Sequence, residues 1–186
     1  MKAHPDLRVV LDACVLANFG VCDLLLRLAE RPRMIIPLWS KQILAETRRA
    51  QVDKLHWPDK LADTFQRALL QNFPESCVDD YEHLLPLLAN NEKDRHVLAA
   101  AIHGQATRIV TFNLRHFTPQ ALAPWHMQAV HPQDCLVALY ENEPGQITGC
   151  LGEIAGRRRL SMEDIVIRLG KTLPKFATRI LKDINT

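Results

Sequence analysis

The most constraining feature of this chain is a short apolar run that stops at an acid. Leu7, Arg8, Val9, Val10 and Leu11 are followed at once by Asp12. A short, β-branched run closed by a charge suits a strand covered on both faces in a parallel sheet. The pattern recurs: Met34–Leu38 leads to Ser40, Arg108–Phe112 leads to Asn113, and Met127–Val130 forms a fourth run. Helical patterns lie between them. Asp23–Glu30 is one, and Ser40 is placed to cap another that carries Ile43, Leu44 and Glu46. Residues 59–73 put Leu61, Phe65, Ala68, Leu69 and Phe73 at helical spacing, and Tyr81–Leu88 reads as a further short helix. Asn91 opens a helix whose body, Val97–Ile102, is apolar nearly all round, with Gly104 as its stop. Strand alternating with helix predicts a parallel α/β sheet.

From about Pro132 onward the pattern is helical only. Gly145, Gly149, Gly152 and Gly156 would form one small-residue stripe on a helix, open to another backbone, or else mark a loop. Ser161 with Asp164 three residues on predicts a capped helix start, and a last helix begins near Pro174. The organisation expected is an α/β domain over 1–140 and a helical extension over 141–186.

Composition removes several function classes. No apolar run approaches about 18 residues, so no membrane span is expected. Met1–Asp6 lack the apolar core of a signal peptide, which points to the cytoplasm. Five cysteines without a Cys-x-x-Cys argue against a disulfide framework or a zinc ribbon. Neither a glycine-rich phosphate loop nor a Gly-x-Ser-x-Gly elbow is present. The net charge of +2 conceals a division: residues 1–155 carry −3 and residues 156–186 carry +5. The basic end is either a solvated helical face or a source of phosphate-binding charge.

Four polar residues stand where such a sheet would bind ligands, outside the carboxyl ends of its strands. They are Asp12, Glu46, Asp94 and Asn113. Two carboxylates about 4 Å apart repel by roughly 4 kcal/mol at an effective dielectric near 20, a cost that a shared divalent ion removes. An oxygen-only donor set suits Mg2+ or Mn2+. Each residue also has a plainer use. Asp12 could cap a helix, Asp94 could form a capping-box-like pair with Asn91, Glu46 could pair with Arg49, and Asn113 could be a turn residue. His96 and His103 are seven apart, outside the spacing of a zinc-binding pair, and the histidines read as structural or surface residues.

Four segments resemble, in order, the acidic motifs of PIN-domain ribonucleases. They are Val9-Val10-Leu11-Asp12-Ala13-Cys14-Val15-Leu16, Pro37-Leu38-Trp39-Ser40 through Ile43-Leu44-Ala45-Glu46, Asp94-Arg95-His96-Val97-Leu98-Ala99-Ala100-Ala101, and Ile109-Val110-Thr111-Phe112-Asn113-Leu114-Arg115-His116-Phe117. The Leu160-Ser161 and Pro174-Lys175-Phe176 segments are similar to the C-terminal extension of some VapC-type toxins. The resemblance implies a three-layer α/β/α fold around a parallel sheet of four to five strands. It also implies metal-dependent hydrolysis of RNA, as the toxin of a toxin–antitoxin pair. Asp12 and Asp94 would hold Mg2+ or Mn2+, Glu46 would complete the acidic set, and Asn113 would take the fourth position. His116 stands where many relatives carry Asp, with Glu92 as a compensating acid. A small antitoxin and a homodimer are further implications. A PIN-like module that binds RNA or protein without cutting is the alternative, and a DNA-directed phosphodiesterase is a third reading.

Overall fold

A computed structural model of the chain describes residues 7–30 and 33–184. The reading of Met1–Asp6 lies outside them. Four parallel strands form one sheet: β1 (Arg8–Leu11), β2 (Ile36–Leu38), β3 (Arg108–Val110) and β4 (Gln128–Val130), in the order β2-β1-β3-β4. Val9 pairs with Pro37 on one side and Arg108 on the other, and Leu11 pairs with Val110. Val9, Val10, Leu11, Ile109 and Val110 are completely buried, as strands covered on both faces require.

Parallel strands need crossovers, and helices supply them. α1 (Ala13–Leu16) and α2 (Phe19–Ala29) link β1 to β2. α3 (Lys41–Arg49), α4 (Asp59–Asn72) and α5 (Arg95–His103) lie between β2 and β3, and α6 (Pro119–Leu122) precedes β4. Helices flank the sheet in a three-layer α/β/α arrangement. The chain closes with α7 (Pro132–Asn142), α8 (Pro144–Arg158), α9 (Met162–Gly170) and α10 (Pro174–Ile184).

Local signals account for many boundaries. Ser40 Oγ accepts from the Ile43 backbone N–H at 3.2 Å, and Ser161 and Asp164 complete a reciprocal capping box. Gly104 is held by close approach: a Cβ there would lie 2.9 Å from the Leu38 and Val78 side chains. Its φ of −74° is right-handed, and the left-handed residue is the next one, Gln105. The 59–73 helix forms, but Leu61 is 49% exposed; Ala62 and Leu69 face inward instead. Tyr81–Leu88 tightens into a 3-10 segment, Glu82–Leu87, around Pro86.

The four glycines do lie on one helix, α8, but nothing approaches them within 4 Å. The helix packs through Ile147, Leu151, Ile154 and Ala155, and the glycines face away. α8, α9 and α10 join the same core as the sheet: Leu151, Val166, Leu173, Phe176 and Ile180 are fully buried within it. Removing residues 156–186 would therefore strip core side chains as well as charge.

Candidate active site

Topology sets the location. In the order β2-β1-β3-β4, the connections leave β1 in one direction and enter β3 from the other, so a crevice opens beyond the carboxyl ends of these two strands. Asp12 directly follows β1, and Thr111 and Asn113 follow β3. α5 runs back toward the start of β3, so its first residue and its N-cap, Asp94, lie at this same edge.

Asp12 is 3% exposed and fully engaged. Its Oδ1 accepts from Ala13 N at 2.7 Å, and its Oδ2 accepts from the Thr111 hydroxyl at 2.5 Å and from the Cys14 thiol at 3.2 Å. The expected capping role is real, with α1 as the capped helix. Burial, and then the Asp12 charge, push the Cys14 thiol up to about 12, so it stays protonated and can donate. The Asn113 backbone N–H donates to the same Thr111 hydroxyl at 3.0 Å. The Asn113 side chain caps nothing.

Asp94 does not form the capping box that its spacing with Asn91 suggests. Asn91 accepts from Lys93 N instead, and the Asp94 side chain makes no cap hydrogen bond although it stands at the N-cap of α5. Its Oδ2 lies 3.0 Å from His116 Nδ1. Burial pushes the Asp94 carboxyl up, the neighbouring His116 opposes this, and the Asp12 charge raises it again; the balance lies above the ordinary value. Asp12 and Asp94 therefore share one electrostatic environment. Among the described residues neither has a Lys or Arg ion-pair partner.

Glu46 joins from α3 through a histidine. His96 Nε2 lies 3.1 Å from Glu46 Oε1, at ion-pair distance but off the line of a hydrogen bond. Burial works against ionisation of Glu46, but contacts with His96, Gln42 and Arg49 outweigh it and hold the carboxyl below its ordinary value. The expected Glu46–Arg49 partnership is thus a minor influence, and His96 takes its place. The same histidine also acts on Asp94.

Two of the histidines, read as structural or surface residues, lie against the candidate acids. His96, 3% exposed, sits on Glu46, and His116 sits on Asp94. Thr111 and Cys14, outside the four candidate positions, complete the surroundings of Asp12. One signal could have found Thr111 and His96. Each is a polar residue inside an otherwise apolar strand or helix, and a buried polar group needs a partner. Glu92 is exposed.

The donor set is two carboxylates, with a neutral amide in the fourth position. Among the described residues, no group of three or more His, Cys, Asp or Glu gathers to hold an ion. A pair of carboxylates is nonetheless a fitting set for Mg2+, which binds through one or two carboxylates and keeps several waters. Burial first, and the Asp12 charge after it, press against ionisation of Asp94, and a cation would relieve that pressure.

The profile of the PIN domain matches residues 6–115, more than half of the chain. The chain belongs to the PIN-domain family. Over 102 residues it is 35% identical to the protein named "Putative ribonuclease VapC50" of Mycobacterium tuberculosis. That alignment covers 53% of this chain and 60% of the relative, so the chain spans about three-fifths of that protein's length. No solved structure matches. The PIN-domain match ends at residue 115, just past Asn113, and so includes all four candidate residues. Among the described residues no helix is long and apolar enough to cross a membrane.

Proposed function

We propose that this chain is a metal-dependent endoribonuclease acting in the cytoplasm, the toxin of a toxin–antitoxin pair. One observation carries the reading: Asp12 and Asp94, from separate elements, meet at one sheet edge, and among the described residues no lysine or arginine pairs with either. The relative named as a ribonuclease supports the reaction class. In this reading Asp12 and Asp94 hold Mg2+ or Mn2+. When bound, the ion supplies a lowered water pKa and neutralises charge on the phosphodiester.

The chain's own residues do the positioning. The Thr111 hydroxyl and the Cys14 thiol hold Oδ2 of Asp12 and the Ala13 N–H holds Oδ1, which fixes the carboxylate and leaves Oδ1 one further acceptor position. His96 keeps Glu46 ionised, as an acceptor for a water proton. Asn113 adds a polar amide without charge, and the body of residues 1–155 stays acidic at −3. A covering antitoxin segment and a homodimer belong to the same proposal.

The second reading, a module that binds without cutting, draws on His116. Its ring nitrogen already sits on Asp94. A metal titration separates the two. Mn2+ should raise the Tm of the wild-type protein and not that of Asp94→Asn, and Mn2+ should switch on cleavage of an RNA pool. Wild-type protein that gains neither stability nor activity from Mn2+ or Mg2+ is the binding module.

A further inference from the structure

The basic extension does not spread its charge evenly. On α10, Lys175 lies 3.8 Å from Asp134 of α7, and Arg179 pairs with Asp183. These cations are occupied locally. Arg157, Arg158 and Arg159 end α8, and Arg168 lies on α9. Among the described residues no ion pair holds Arg157, Arg159 or Arg168. This corner packs against the start of α2. A cleft of about 190 Å³ lies between them, lined by Asn18 and Gly20 on one side and by Arg158, Arg168 and Thr172 on the other.

The start of α2 is also close along the chain to the acid that ends β1. Asn18 is separated from Asp12 only by Ala17 and α1, about 6 Å of helix. Phe19 is 49% exposed. The Arg158 guanidinium lies over its ring at 5.3 Å, and the Trp57 ring meets it edge to face at 6.1 Å. Phe65 continues the row beyond Trp57 at 5.9 Å. Arg158 is fixed by Asp23, which it shares with Arg27, and Arg27 also reaches Glu153 at 3.4 Å, so the surplus at this corner lies with Arg157, Arg159 and Arg168. An exposed aromatic ring beside surplus guanidinium groups is the chemistry that holds single-stranded RNA: stacking for the base, cation for the phosphate.

We propose that this corner is a subsite for a nucleotide flanking the cleaved bond. Phe19, backed by Trp57, stacks the base, and Arg158 and Arg168 take the adjoining phosphates. The subsite rests on the ribonuclease reading of the acidic crevice. It assigns the role expected of the basic extension to the α8–α9 corner and not to α10.

The test is fluorescence anisotropy with a short labelled single-stranded RNA of mixed sequence and the full chain, in EDTA so that nothing is cut. Phe19→Ala should weaken binding roughly tenfold, with the salt slope unchanged. Phe19→Tyr should restore affinity, which separates stacking from misfolding. Arg168→Gln should lower the salt slope by about 0.7, the share of one phosphate contact on a single strand. Lys175→Gln, on α10, should change neither. Phe19→Ala and Arg168→Gln both within about twofold of wild type would overturn the subsite, and if wild type still cuts RNA the crevice reading stands. Wild type that neither binds nor cuts RNA overturns both. Loss of self-association in Phe19→Ala with RNA affinity intact makes the patch a protein interface, which also overturns it.

Discussion

The acidic crevice and the α8–α9 corner handle charge in opposite ways. In the crevice, carboxylates are buried or half-buried and each rests on a neighbour, Asp12 on Thr111, Glu46 on His96 and Asp94 on His116. At the corner, arginines stand in solvent, and only Arg158 is tied down, by Asp23. Burial makes each crevice charge sensitive to its neighbours, because a low local dielectric magnifies Coulomb terms. Exposure makes the corner charges nearly independent and screened by salt. In the proposed enzyme this divides the work: chemistry where charges are coupled, affinity where they are additive.

The largest expected effect falls in the crevice. Asp12→Asn and Asp94→Asn should each lower RNA cleavage on the order of 10³-fold, the scale of losing one group that stabilises transition-state charge. Circular dichroism should show the fold intact. Next comes stability. Thr111→Val removes a hydrogen bond to a buried carboxylate and should cost about 2 kcal/mol, a fall in Tm of roughly 4–8 °C.

The acids should separate by pH. The folded carboxyl of Glu46 lies below its ordinary value of 4.5, so its stabilisation is present above that value and lost as pH falls through the folded one. Thermal melts of wild type and Glu46→Gln should therefore differ at pH 7 and converge in acid. Asp94 has the opposite sign. Its raised carboxyl favours the protonated form, so its contribution is present at low pH and lost as pH rises through the folded value. Metal-free Asp94→Asn should melt above wild type at neutral pH and lose the gain from Mn2+. A metal-free variant that melts lower would break the account of Asp94 as a carboxylate pressed by burial and by Asp12.

The smallest effect belongs to the corner. Arg159 occupies the left-handed C-terminal position of α8, φ 54°, where glycine is the usual residue. Relieving this conformation is worth about 1 kcal/mol. Arg159→Gly should therefore raise Tm by roughly 2–4 °C. A lower melting point would show that the side chain supports the fold.

The strands and helix starts were legible because each depends on local sequence. Val9–Leu11 must be covered on both faces, and Ser40 and Ser161 cap whatever helix follows them. Asp12 was legible as a strand end, and Asn113 as the polar residue beyond one, although β3 stops at Val110 and not at Phe112. What escaped depends on which elements meet. Asn91 and Asp94 have capping-box spacing, yet a 3-10 turn, Glu92–Asp94, intervenes and sends the carboxylate to His116. Glu46 and Arg49 are three apart on α3, but His96 arrives from α5. Leu61 has helical spacing with Phe65, but the helix is rotated so that Ala62 takes the inward place.

The open face of α8 has a consequence for how firmly the arginine corner is held. Each of its four exposed glycines lowers intrinsic helix stability by about 1 kcal/mol relative to alanine. The helix therefore depends almost wholly on the apolar side that Ile147, Leu151 and Ile154 press into the core. Its amide hydrogens should exchange by local opening ahead of those in α5, whose Val97–Ala101 are completely enclosed. Whatever grips both α2 and Arg158 would close that opening, so occupancy of the corner should register as slowed exchange along α8.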